Sequence, residues 1–123
     1  MVALPLAALL LAPAPALAQQ TTAVDPDPWF GKDKALHATA GVLIAGGAYG
    51  ASVPYTDQIA LRIAFGAGLS VAAGGAKELF DLAGYGDPSW KDFTWDVVGA
   101  AIGVGVAVTL DLAFREPSPV RAR

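Results

Sequence analysis

Nine ionisable residues of this 123-residue chain lie in three short groups: Asp33, Lys34 and His37; Lys77, Glu78 and Asp81; Lys91, Asp92 and Asp96. Three kinds of chemistry suit them. His37 with Glu78, Asp81, Asp92 or Asp96 could hold a divalent cation, and His37, Glu78, Asp92 and Asp96 are the candidates for an acid/base pair. A carboxylate-rich set suits Mg or Ca, whereas one histidine without a cysteine is a weak zinc signal. Lys34, Lys77 and Lys91, joined to the same histidine and acids, could instead bind a phosphorylated or sugar-bearing lipid head group. The plainest chemistry is a structural lock of lysines on carboxylates, with Lys77 and Asp81 four residues apart and Asp33 and Asp92 favouring helix N-termini. No Ser-His-Asp order, P-loop or dinucleotide fingerprint is present, and the sequence establishes no cofactor.

The elements that position these groups are apolar. The chain is 54% hydrophobic with 14 glycines and only 15% charged, against roughly 25% charged in soluble domains. That excludes disorder, and the length allows one domain. A net charge of -3 argues against a nucleic-acid partner, because phosphate binding wants clustered cations. With no cysteine there is no disulfide framework and no thiolate metal site. Residues 1–18 end in Ala16-Leu17-Ala18 and read as a signal peptide. The alternative is an uncleaved first membrane helix, which Pro5, Pro13 and Pro15 disfavour. Residues 19–32 form a polar linker, 33–114 a three-helix domain and 115–123 a short polar tail.

Prolines punctuate the rest, leaving long apolar segments predicted as helices over 33–52, 57–82 and 91–114, with Thr56 as N-cap of the second, Ser89 or Pro88 near the start of the third, and Gly84 and Gly86 ending the second. Glycine inside a helix costs about 1 kcal/mol relative to alanine, so the rows Gly66, Ser70, Gly74 and Gly99, Gly103, Ala107, with Gly46 and Gly50, call for close helix packing. Trp29, Phe30, Tyr85, Trp90 and Trp95 gather at one end of an up-down-up bundle, like an interfacial belt, with Tyr49 and Tyr55 at the other. Arg62, Arg115, Arg121 and Arg123 are expected at that other end. The helical wheel places Asp92, Asp96, Gly99 and Gly103 within about 60° of one another, so the two carboxylates face inward. His37 shares a stripe with Gly41, Ile44 and Ala48, and Glu78 one with Gly74, Val71 and Ala67. Ionisable groups aimed into an apolar bundle need partners.

These residues also carry a family resemblance. Asp33-Lys34-Ala35-Leu36-His37 precedes one apolar helix, Lys77-Glu78-Leu79-Phe80-Asp81 closes the next, and Ser89-Trp90-Lys91-Asp92 with Asp96-Val97-Val98-Gly99-Ala100 opens the last. In this order, over residues 29–110, the chain resembles the YfiM-like envelope proteins (the DUF2279 domain), which are similar to the VanZ-like membrane family. The resemblance implies a small multi-helix envelope protein with a polar face carried by His37, Glu78, Asp81, Asp92 and Asp96. Through the VanZ-like relatives it implies a link to glycopeptide tolerance at the cell surface.

The expectation is therefore an all-α protein, a small bundle of three Gly-rich apolar helices embedded in the bacterial inner membrane, with its polar face toward the periplasm. Lys34, His37, Lys77, Glu78, Asp81, Lys91, Asp92 and Asp96 would bind a lipid or lipid-linked head group or a partner helix. Gly66, Ser70, Gly74, Gly99 and Gly103 would pack helices within the chain or between copies in a homo-oligomer. The alternative is a metal-assisted hydrolase or transferase on a lipid-linked envelope substrate, using a divalent cation.

Overall fold

The computed structural model describes residues 24–115, so the expected signal segment, the start of the linker and all but the first residue of the tail lie outside the described residues. Three helices account for most of them, α1 (Lys32–Ser52), α2 (Ile59–Phe80) and α3 (Trp90–Phe114), and no strand occurs among the described residues. The ends have local causes. Ser89 caps α3, its hydroxyl oxygen accepting from the Asp92 backbone N–H at 3.2 Å, which satisfies one of the unpaired donors of the first turn. Thr56 does not cap α2. Its hydroxyl oxygen accepts from Gln58 N, a local turn that delays the helix to Ile59, with Gln58 as the uncapped lead residue. The last turn of α2 widens into a π-type turn over Asp81–Tyr85. It closes at Gly84, whose φ of 100° lies in the left-handed region that side chains resist.

Glycines set the helix spacing. A Cβ on Gly99 would strike the Ala38 carbonyl of α1, one on Gly103 the Val42 carbonyl, and one on Gly41 would stand 2.5 Å from the Asp96 carbonyl of α3. Gly66 meets the Ala45 carbonyl in the same way across the α1–α2 contact, and Gly74 lies against the Asp96 side chain. Gly66, Ser70, Gly74, Gly99 and Gly103 are all buried. The α1 row holds at Gly46, where a Cβ would meet the Gly103 carbonyl at 3.4 Å, but not at Gly50, where nothing lies within 4 Å, and the tightest approach is made by Gly41. The cause is rotational: Gly41, Ala45, Ala48 and Ser52 form the buried face of α1. Packing does not account for Gly47, Gly68 or Gly105, which face open space.

The interior is correspondingly thin. Its buried apolar residues are Ala45, Ala48, Tyr49, Ala100 and Val104, while Leu61, Phe65, Leu69, Ile102, Val106 and Leu110 point outward. Two helices are long and apolar enough to cross a membrane, one from Ile59 through the π-type turn to Tyr85 and the other over Trp90–Phe114, with mean hydropathies of 1.5 and 2.1 over their most apolar stretches.

Candidate functional site

The three polar groups meet at one end of the bundle. From the first turn of α1, Lys34 reaches into the interface and is only 2% exposed. Its ammonium donates to Asp33 at 2.9 Å, to Asp92 of α3 at 2.5 Å, and to Asp27 of the preceding segment. Lys77 does the same from α2, within 2.9 to 3.1 Å of Glu78, Asp81 and Asp92. Asp92 is thus held by ammonium groups from two helices, one to each oxygen. Charge-assisted bonds of this kind offset the desolvation that burial imposes on each ion.

His37 stands one turn deeper. Its Nδ1 lies 2.9 Å from Asp96 Oδ1 and its Nε2 3.3 Å from Asp92 Oδ2. Both ring nitrogens thus face carboxylate oxygens of α3. Asp96 is 5% exposed and its second oxygen, Oδ2, has no hydrogen-bond partner. That oxygen occupies the space a side chain at Gly74 would fill, since a Cβ there would stand 2.6 Å away. Beside it a crevice of about 170 Å³ runs between α1 and α2, lined by His37, Gly41, Ser70, Lys77 and Asp96, with Ala40, Ile44 and Ala73 at its apolar side.

The segment before α1 completes the cluster. Asp27 accepts from the Ser89 hydroxyl at 2.7 Å as well as from Lys34, and Glu78 accepts from Ser89 N at 2.6 Å. Lys91 turns away from the central acids toward Asp25, at 3.0 Å, and the Asp27 carbonyl. Trp29 packs edge-on against Trp90 at 4.7 Å, and its carbonyl accepts from Trp95 Nε1. The Lys34 ammonium, and secondly the Ser89 hydroxyl, hold the Asp27 carboxyl below its ordinary value. The Asp27 backbone N–H, then Lys91, do the same for Asp25. Both acids belong to the stretch read as a polar linker, and no spacing in the sequence ties them to Lys34 or Lys91.

All eight expected binding residues therefore stand at this end, though in three roles. Lys34, Lys77, Glu78, Asp81 and Asp92 bond to one another or to Ser89, and Lys91 clips the preceding segment. His37 and Asp96 line the crevice together with Lys77. Among the described residues, one group of acids places three potential metal-ligand oxygens within 4.8 Å of one another, namely Asp27, Asp33 and Asp92. The Lys34 ammonium bonds to all three, so the strongest cation position is filled by the protein's own charge.

A second network closes the opposite end. Asp111 accepts from the Tyr49 hydroxyl and from Arg62 Nη1, both at 2.7 Å, while Arg62 also donates to the Thr56 and Val53 carbonyls. The sequence places Tyr49 and Arg62 at that end, but only the fold pairs them with Asp111. Compared with known proteins, the chain matches no family model, no curated protein and no solved structure.

Proposed function

We propose that this chain is an integral protein of a bacterial envelope membrane whose periplasmic end binds the head group of a lipid or lipid-linked molecule, without chemistry of its own. The observation that carries the membrane reading is the exposure of the two apolar helices: only 22% of each hydrophobic stretch is buried inside the molecule. The core helix of a soluble bundle would hide such a surface, because contiguous exposed apolar area of this extent is unfavourable in water. In a bilayer the same surface is solvated, and close glycine packing supplies the helix association that lipid does not drive. The aromatic residues beside the polar end suit the interface between lipid and water.

Binding is favoured over metal-assisted catalysis by how the charges are used. The three-oxygen group that could hold a cation already surrounds Lys34. The crevice beside His37 and Asp96, in contrast, has an uncommitted oxygen and opens between two helices. The kinship with the YfiM-like and VanZ-like families is proposed on the polar motifs alone.

Carbonate extraction and labelling test the reading. The full chain should remain in the membrane pellet. Because it has no cysteine, Phe30→Cys and Tyr55→Cys each give a single thiol at one end. Phe30→Cys should react with an impermeant maleimide from the periplasmic side, and Tyr55→Cys only after the membrane is opened. Release by carbonate, or the reverse labelling order, would sink the proposal.

A further inference from the structure

The crevice between α1 and α2 also specifies the charge of its guest, an inference that rests on the head-group reading above and narrows it. The groups left uncommitted there are acceptors. Asp96 gives one oxygen to His37 and keeps the other, Oδ2, buried and unpartnered. The Ser70 hydroxyl donates its proton to the Gly41 carbonyl at 3.1 Å, which leaves its oxygen able to accept. The nearby ammonium groups are engaged: Lys34 and Lys77 each touch three carboxylates. Counting Asp25 and Asp27, seven carboxylates crowd this end against the ammonium groups of Lys34, Lys77 and Lys91 and the imidazole of His37.

Three guests can be compared on these terms. A phosphate would find acceptors and surplus negative charge, and would be desolvated without a new partner. A Mg or Ca ion needs about six or more oxygens, and the crevice offers two uncommitted ones. An ammonium group carries the right charge and donates to as many as three acceptors at short range. The space, about 170 Å³, admits an aminoethyl end, given about 30 Å³ for a group the size of water. The approach is apolar: Ala40 and Ala73 at the crevice are exposed, and Ile44 is partly so. A guest arriving across such a surface brings an apolar body with it.

We propose that the crevice takes the primary ammonium group of an amine-bearing lipid, accepted by Asp96 Oδ2 and Ser70 Oγ while His37 holds the other Asp96 oxygen in place. The test uses the full chain in phosphatidylcholine nanodiscs doped with equal amounts of phosphatidylethanolamine and phosphatidylglycerol of the same acyl chains. Lipids that stay with the protein are counted by native mass spectrometry. The ethanolamine lipid should be retained about tenfold over the glycerol lipid, which corresponds to about 1.4 kcal/mol. Asp96→Asn should remove the preference with the helical circular dichroism unchanged. Should that variant fail to fold, Ala73→Leu narrows the mouth without touching any charge and should remove the preference as well. Equal retention of the two lipids by a chain that resists carbonate extraction overturns the amine assignment alone. Release of the chain by carbonate overturns this inference together with the membrane reading. Aqueous ethanolamine that displaces the lipid at an equal concentration would keep the amine chemistry and overturn the lipid-borne source.

Discussion

Replacing Gly41 by alanine should destabilise the protein by about 2 kcal/mol, although alanine is the better helix former by about 1 kcal/mol. The added Cβ would stand 2.5 Å from the Asp96 carbonyl, 3.0 Å from Ala100 N and 3.1 Å from the Gly99 carbonyl carbon. Carbon and oxygen normally approach no closer than about 3.3 Å, so α1 and α3 must part by about 1 Å at this level. All three obstacles are backbone, and no side chain can rotate aside. Overpacking of this kind costs about 1 to 3 kcal/mol, and the upper end applies here before the helix-propensity gain is subtracted. Separation would also stretch the His37–Asp96 contact, now 2.9 Å, beyond hydrogen-bond range. Gly105→Ala is the matched control, because nothing lies within 4 Å of a Cβ there. It should stabilise by up to about 1 kcal/mol. Both variants can be unfolded by SDS titration in mixed micelles, followed by helical circular dichroism. Equal stability of Gly41→Ala and the parent, or an equal loss in Gly105→Ala, would refute the claim that backbone proximity sets the helix spacing.

Three further outcomes are expected. Lys34→Met should destabilise by about 3 to 5 kcal/mol in the same titration, because it strips a buried ammonium from three carboxylates, and a loss under 1 kcal/mol would contradict the pairing. Tyr49→Phe removes a single hydrogen bond to Asp111 and should cost about 1 kcal/mol, less than Arg62→Met, which empties three acceptors at once; the reverse order would contradict the assigned network. Asp25 and Asp27 titrate below the ordinary value of 3.8. A carboxyl depressed by folding stabilises above its unfolded value, and that contribution vanishes as pH falls through the folded value. The 25–30 segment should therefore stay docked from neutral pH down to about pH 4 and release below it. The chain's three tryptophans, Trp29, Trp90 and Trp95, all lie at this end, so intrinsic fluorescence reports the step. A transition centred near neutral pH would contradict the assignment.

How much of this was legible in the sequence differs from residue to residue. The three helices follow from proline punctuation and long apolar runs, and the structure shifts their ends by only a few residues. The inward direction of Asp92 and Asp96 also follows from the sequence, because they share one helical stripe with Gly99 and Gly103. Which glycines of α1 make contact followed only in part. Gly41 lies on the inward stripe of His37, and Gly46 meets the Gly103 carbonyl, but Gly50, at the same four-residue spacing, faces open space because of the azimuth at which α3 lies. Partners from distant segments were likewise hidden. Asp27 reaches Lys34 and Ser89 from an irregular stretch without periodicity, and Asp111 joins Tyr49 and Arg62 across 62 and 49 residues. Such pairs arise from topology, to which a single sequence gives no local sign. Thr56 shows a smaller version of the same limit, since a hydroxyl near a helix start can form a turn as readily as a cap.

The order of the helices has a consequence for biosynthesis. Lys34 and His37 are made in the first helix, but Asp92 and Asp96, the acids they meet in the bundle, are made in the last. Until α3 emerges from the ribosome, the Lys34 ammonium has only Asp27 and Asp33, the His37 ring has neither of its carboxylate partners, and the glycine face of α1 has no α3 to rest on. An unfinished chain is thus chemically distinct from a finished one at both ends, since Tyr49 and Arg62 also wait for Asp111 of α3. The polar end is complete only when Asp92 arrives between the two lysines, so the last helix made is the one that neutralises the first two.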